Sequence, residues 1–390
     1  MRSRPIHTVF AAVITMLSLG SIYAWSIYVP KLINDYSFST SQTQLVFGFF
    51  IAVFTIAMVL GRSLLAKLGG KKMAFISAFV YTLGYILIKW LGVNFSVLLI
   101  GISLLGGIAT GMGYLISISI PVEWFPEKKG LITGIVSAGF GGGAIAESLV
   151  AQELFVTGLE LPDVLLIVGI GKGILLLLSS FFFKRRDLEH HVAKLIPFNQ
   201  LLKEHGFRKL FIGIFTGTFA GLLVIGNLKP IGEQFTIDET TLVLGITVFS
   251  IANFTGRLFW GWLNDYVAGK ILIPLSLLMM GVFTLVIGIV QLTPGVYLFI
   301  AFAVGFSFGA NFVIYAKETA QIYGIGNLAK IYPFVFLGYG ISGIAGPFIG
   351  GYLRDLFGNY ENSVYVAFAL CIVVFLGMLI FSKSTVPKTE

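Results

Sequence analysis

The sequence predicts an all-α membrane protein of twelve transmembrane helices in two pseudo-symmetric halves of six. Three observations carry that prediction. Of the 390 residues, 57% are hydrophobic and only 11% charged, and the mean hydropathy is +0.93, the composition of a chain solvated by lipid. Twelve apolar stretches occur, each of about 20 residues and so long enough to cross a ~30 Å hydrocarbon core. The one sizeable polar stretch, residues 184 to 209, has six of them before it and six after.

Spans one to six cover residues 7 to 30, 42 to 64, 71 to 91, 95 to 121, 130 to 152 and 162 to 183. Spans seven to twelve cover 208 to 230, 240 to 263, 270 to 292, 295 to 317, 328 to 352 and 362 to 381. The first is too long and too aromatic for a cleaved signal and has no A-x-A-like site after it, so it stays as a membrane helix. The domain reading is an N-terminal bundle at 1–183, a cytoplasmic linker loop at 184–209 and a C-terminal bundle at 210–390. Internal similarity supports the halves: LLAKLGGK at 64 to 71 aligns with LNDYVAGK at 263 to 270, each directly after the second span of its half. Two related six-helix halves joined by a basic loop are the architecture of the major facilitator type, with a site near the midplane between them.

Basic residues set the orientation, because Lys and Arg are retained on the cytoplasmic side. With the N-terminus inside, the outer loops hold four, Lys31, Lys89, Lys229 and Arg354, and the spans hold Lys172 and Arg257; the remaining 20 of 26 are cytoplasmic. Both termini are therefore expected in the cytoplasm. The net charge of +8 follows from this bias and implies no nucleic-acid partner. His7, His190, His191 and His205 lie at the N-terminus or in the central loop, which excludes a histidine relay in the membrane and a His-rich metal site. A lone Cys371 forms no internal disulfide. Glycines such as Gly106, Gly107, Gly111 and Gly113 in span four and Gly139, Gly141, Gly142 and Gly143 in span five let helices approach closely. GFGGGA has no Lys-Ser or Lys-Thr after it and is no phosphate loop. No catalytic constellation, metal site or cofactor motif is present, so an enzyme is not expected.

Arg257 is the residue that most needs explaining. It lies in span eight, eight residues before Asp265 and so ~12 Å of helix from that end, where an uncompensated cation costs several kcal/mol. Asn253, four positions earlier, shares its helical face. A small carboxylate suits a guanidinium and a carboxamide pointing together; backbone carbonyls or a carboxylate on another helix are the alternatives. Polar aromatics also interrupt the spans: Tyr23, Trp25 and Tyr28 in span one, Tyr114 in span four, Tyr315 in span ten, Tyr332 and Tyr339 in span eleven. A phenol in hydrocarbon needs a partner, which points to a cavity or an interface. Tyr28 and Tyr332, near span ends, fit an interfacial belt as well. Lys172 and Glu147, inside spans six and five, read as a structural pair or a snorkelling side chain, with Glu147 also a candidate proton carrier.

GSIYAWSIYVPKL in span one, TGMGYLISISIPVEWFPEKKGLITGIVSAGFGGGA across spans four and five, GLLVIGNLKPI in span seven and YPFVFLGYGISGIAGP in span eleven resemble the oxalate/formate antiporter family of the major facilitator superfamily. Bacterial relatives of the animal monocarboxylate transporters belong to the same neighbourhood. The resemblance implies alternating access with a small carboxylate anion as cargo, and it puts Arg257 at the position that binds the carboxylate. The oxalate exchangers have a lysine in span eleven where YPFVFLGYG has Tyr339. One buried cation suits one carboxylate, which favours a monocarboxylate such as lactate, pyruvate, formate or acetate. The animal transporters have an aspartate one turn before the arginine, where this chain has Asn253, and a span-one lysine that it lacks. Between spans two and three the family's acidic latch residue is replaced by Ala66, while Asp265 keeps the second-half copy, as a gate or a helix cap.

The expected function is transport of a small monocarboxylate by a monomer in the cytoplasmic membrane. Arg257 holds the carboxylate, Asn253, Tyr114, Tyr315 and Tyr339 hydrogen-bond or shape the site, and Tyr23 with Trp25 walls it. Asp265 and Glu147 are the gating or coupling candidates. Proton symport and anion exchange of the oxalate/formate type both remain open, as does a carboxylate receptor built on the same fold.

Overall fold

The computed structural model describes residues 5–184 and 198–382. Arg185, Arg186, His190, His191 and Lys194 of the linker, and the basic residues of the two chain ends, lie outside the described residues. Eleven helices among the described residues are long and apolar enough to cross a membrane. One of them is double. Thr40–Leu91 has 52 residues and straight would be ~78 Å long, far beyond a ~30 Å core. It reverses at Gly69, whose φ of 73° is non-helical and is open to glycine without strain. It therefore contains spans two and three, and the total is twelve.

Two spans depart from a regular α-helix. Span one is α-helical over Pro5–Leu19, becomes a 3₁₀ helix over Gly20–Ile27 and ends in the short helix Val29–Tyr36. Span four carries a π-helical stretch, Leu99–Gly106, ahead of Gly107–Trp124. Neither irregularity is legible from composition.

Helix starts differ between the two ends of the bundle. At the expected outer end, spans two, four, eight and ten begin with Ser39, Asn94, Asp238 and Thr293, each accepting a backbone N–H of its own first turn, as short polar side chains do at N-caps. At the other end, Lys128, Glu204, Ala268 and Asn327 precede spans five, seven, nine and eleven without any side-chain cap. Their first N–H groups need other acceptors.

The halves meet along span five against span eight and span two against span eleven. The first contact is backbone on backbone. A Cβ on Gly261 would lie 2.6 Å from the Gly130 carbonyl oxygen and 2.8 Å from Gly134 Cα. Span ten passes the other side of span eight, where a Cβ on Gly309 would stand 2.8 Å from the Asn253 carbonyl oxygen and 2.9 Å from Arg257 N. Phe79, Leu149, Phe348 and Ile380 are exposed on the periphery, as lipid-facing apolar side chains are.

Gly261→Ala is predicted to destabilise the protein by about 1–3 kcal/mol, the usual cost of overpacking, and to lower its melting temperature in detergent. Gly171→Ala, where a Cβ meets nothing within 4 Å, serves as the control and leaves the melting temperature unchanged.

Candidate functional site

Span eight brings Arg257 to the crossing with spans five and ten, and those glycines explain how so large a side chain becomes 0% exposed. Its Nε donates to Asn253 Oδ1 at 3.0 Å, and one terminal nitrogen, Nη1, donates to the Ser137 carbonyl at 2.8 Å. The other, Nη2, completes no hydrogen bond among the described residues, the Tyr23 hydroxyl being close enough to act on the guanidinium, and no carboxylate there forms an ion pair with Arg257. Its guanidinium carbon sits 4.0 Å from the Phe312 ring centroid and 5.7 Å from that of Phe140. Aromatic faces thus hold the cation without neutralising it, and part of its planar donor fork stays free to meet an anion.

An aromatic cluster joins the two halves around this cation. Tyr114 stacks on Phe336 at 5.1 Å, and Phe54 lies within 5.2–6.3 Å of Tyr114, Phe140, Phe336 and Tyr339. The hydroxyls of Tyr23 and Tyr339 hydrogen-bond across the halves at 2.7 Å. Arg257 acts electrostatically on Tyr23, Tyr114, Tyr332 and Tyr339. The hydroxyls of Tyr114 and Tyr332 lie against each other, and those of Thr110 and Ser117, one turn either side of Tyr114 on the same face of span four, have no partner among the described residues.

Arg257, Asn253, Tyr23, Tyr114 and Tyr339 therefore come together. Tyr315 and Trp25 do not join them. The Tyr315 hydroxyl lies against Gly213 and Met378 of spans seven and twelve, because span ten turns that face toward the bundle edge. The Trp25 indole donates to the Thr43 carbonyl at 3.0 Å and lies beside Tyr28, since residues two apart on a helix do not share a face and Tyr23 takes the side toward Tyr339. Tyr332 is 1% exposed, which removes it from an interfacial belt. The cage phenylalanines were invisible in a chain with 37 of them, although Phe140, alone among glycines, was a usable signal. Glu147 pairs with Lys172 inside the first half.

At the end where Arg62, Lys129 and Lys330 lie, the halves are fastened together. Asp265 takes the N–H groups of Gly130 and Leu131, both at 2.8 Å, and so caps span five, which has no cap of its own. The capping reading of Asp265 is what the geometry shows: it is a cap supplied by the opposite half, placed where a helix dipole favours negative charge. Lys317 Nζ donates to the Asn264 carbonyl. Arg62 donates to the Lys330 carbonyl at 2.8 Å and lies 3.8 Å from the Phe334 centroid, so the first half contributes to the closure despite Ala66.

The sequence matches the Major Facilitator Superfamily over residues 9–228 and 210–390. The chain belongs to that superfamily. It is 28% identical over 348 residues to the MFS-type transporter YhjX of Escherichia coli (strain K12), covering 86% of this chain and 85% of that one. It is 23% identical over 368 residues to the oxalate:formate antiporter of Oxalobacter formigenes (91% and 86% covered) and 22% over 360 residues to monocarboxylate transporter 13 of Rattus norvegicus (90% and 82%). Among solved structures, the fold is similar to the transporter FucP in its outward conformation (TM-score 0.69, 17% identity, 95% and 98% covered) and to the proton:xylose symporter XylE (0.72, 15%, 97% and 96%). This major facilitator protein is a multi-pass membrane transporter rather than an enzyme.

Asp265→Ala strands the first N–H groups of span five and is predicted to open the fastened end. Spin labels placed on exposed Lys71→Cys and Lys270→Cys, with Cys371 replaced by Ser, will report a longer and broader distance distribution; an unchanged distribution counts against the latch.

Proposed function

We propose that this transporter carries a small monocarboxylate, of the lactate, pyruvate, formate or acetate type, across the cell membrane by alternating access, as a monomer with both termini in the cytoplasm. The observation that carries the reading is Arg257: buried, held by one carboxamide and one carbonyl, and facing no carboxylate among the described residues. A carboxylate at Nη2 completes its hydrogen bonding and neutralises it in one step. The other buried cations are engaged elsewhere, Lys172 by Glu147 and Lys317 by the Asn264 carbonyl. Tyr339 stands where a second carboxylate would need a cation. The names of the Oxalobacter and rat relatives point to the same substrate class.

Proton symport is the favoured coupling. An empty carrier retains the Arg257 charge, and a proton accompanying each anion keeps the exchange of charge across the membrane balanced. Exchange of two anions is the second reading, motivated by the likeness to the oxalate:formate antiporter. Counterflow of labelled monocarboxylate in proteoliposomes tests transport itself and separates a carrier from a receptor of the same fold.

Arg257→Lys keeps the charge but loses the planar two-point contact. Substrate affinity is expected to fall by about ten- to a hundredfold, the worth of one charge-assisted hydrogen bond. Equal affinity in isothermal titration removes the assignment. Tyr339→Lys places a second cation beside the cage and is expected to raise the preference for oxalate over the monocarboxylates in competition uptake; unchanged selectivity in a normally folded variant shows that span eleven does not set it.

A further inference from the structure

One buried charged cluster has no part in holding the carboxylate. In the first half, Lys172 Nζ lies 3.1 Å from each oxygen of Glu147 and donates to Ser21 Oγ at 3.0 Å. Its other side rests on the rings of Tyr85 and Tyr81, 5.0 and 5.3 Å from their centroids. The Tyr28 hydroxyl donates to Glu147 Oε1 at 2.6 Å. A cavity of ≈10 Å³, bordered by Ser21, Trp25, Tyr28 and Tyr85, adjoins the carboxylate, about the room one water needs. The ionisable groups around Glu147 are thus Lys172 on span six, Tyr28 on span one, and Tyr81 and Tyr85 on span three.

Buried ion pairs add little stability over apolar side chains of the same volume, so this one calls for another reason. Position supplies it. Glu147 lies nine residues from the end of Lys129–Val156, deeper in its helix than any other carboxylate among the described residues. One element also touches both this cluster and the carboxylate site. Ser21 in the 3₁₀ segment Gly20–Ile27, and Tyr28 just after it, hold the ion pair, while Tyr23 between them bonds to Tyr339 of the opposite half. Eight residues of 3₁₀ helix is about twice the length in which that geometry is common, and such stretches inside helices often mark hinges.

We infer that Glu147 is a proton-binding site of the carrier, separate from Arg257, and that the segment Gly20–Ile27 links its protonation to the carboxylate site. The chemistry of the cluster permits it. A protonated Glu147 still accepts from Tyr28 on its carbonyl oxygen, and Lys172 keeps Ser21 and two aromatic faces, so the ammonium is not stranded. The charge balance favours it. With Arg257 empty and Glu147 ionised, the buried groups sum to one positive charge. A bound carboxylate cancels it, and a proton on Glu147 restores it. Empty and fully loaded carriers then change conformation with the same buried charge, and the carriers holding the anion alone or the proton alone differ from it by one charge in opposite senses.

This inference rests on the carboxylate-transport reading, and the test separates the two. Purified parent, Glu147→Gln and Glu147→Gln/Lys172→Met are reconstituted in vesicles and given radiolabelled lactate or pyruvate. Counterflow and uptake driven by an inward proton gradient are measured in parallel, with a lumenal pH dye. The expected result is counterflow within about twofold of the parent in both variants, with gradient-driven uptake and lumenal acidification reduced at least about tenfold, the scale of a coupling between sites. The double variant leaves no unpaired charge, so it decides the matter if the single one folds poorly. Gradient-driven uptake retained in the double variant overturns the inference and leaves carboxylate transport standing, as does a parent that exchanges anions without moving protons. Counterflow lost together with gradient-driven uptake in a folded double variant assigns the pair to structure and also overturns it. A parent without counterflow overturns the carboxylate reading and the inference with it.

Discussion

A guanidinium removed from water and left without a carboxylate among the described residues is the constraint from which the rest of the centre follows. Moving such an ion into a low-dielectric interior is costly unless its donors find acceptors. Here the acceptors are minimal: one amide oxygen and one carbonyl. Phe312 and Phe140 supply the remaining environment, which suits a guanidinium better than an ammonium because the planar cation stacks and is weakly hydrated. The glycines of spans five and ten are what bring backbone close enough for Ser137 to reach it. Replace the cation by an apolar residue and the tight crossings have packing to perform but no charge to hold.

The two halves are related in sequence yet do unequal work at the fastened end. The second half lends Asp265 to the uncapped start of span five. In the first half the matching position is Ala66, and the contribution comes from Arg62 reaching the start of span eleven. A carboxylate on two N–H groups is a strong, directional contact, whereas the arginine adds one carbonyl bond and a ring face. The closure is therefore anchored unevenly, with the stronger tie on the contact between spans five and eight.

Much of this was legible in the sequence, and the remainder was hidden for physical reasons. Twelve spans and two halves follow from hydropathy, because lipid leaves the backbone no alternative to continuous helices. The Asn253–Arg257 pair follows from helical spacing, and the contact observed at 3.0 Å is the one that spacing implies. Phe54, Phe312 and Phe336 could not be singled out, since phenylalanine faces lipid and lines a cage with equal ease. Tyr315 is expected at the site because a phenol in hydrocarbon needs a partner, yet packing between spans seven, ten and twelve buries it with no hydrogen-bond partner among the described residues. Trp25 sits two residues from Tyr23, a spacing at which helical side chains do not share a face, and its indole turns to the Thr43 carbonyl instead.

The deepest consequence lies in the spacing of span eight itself. Asn253, Arg257, Gly261 and Asp265 recur every four residues and form one ridge, ~18 Å long, directed at span five. Asn253 orients Arg257, Arg257 binds the Ser137 carbonyl, Gly261 lies on Gly130 and Gly134, and Asp265 caps Gly130 and Leu131. Ridge packing of this kind holds two helices at one preferred crossing rather than a continuum of them. The backbone contact at Gly261 stands between the Asp265 cap on one side and the Arg257 cation on the other. A change in the crossing of spans five and eight that lengthens the Asp265 bonds therefore also bears on the bond between Arg257 and Ser137. The cap and the buried cation are in this way features of a single helix face.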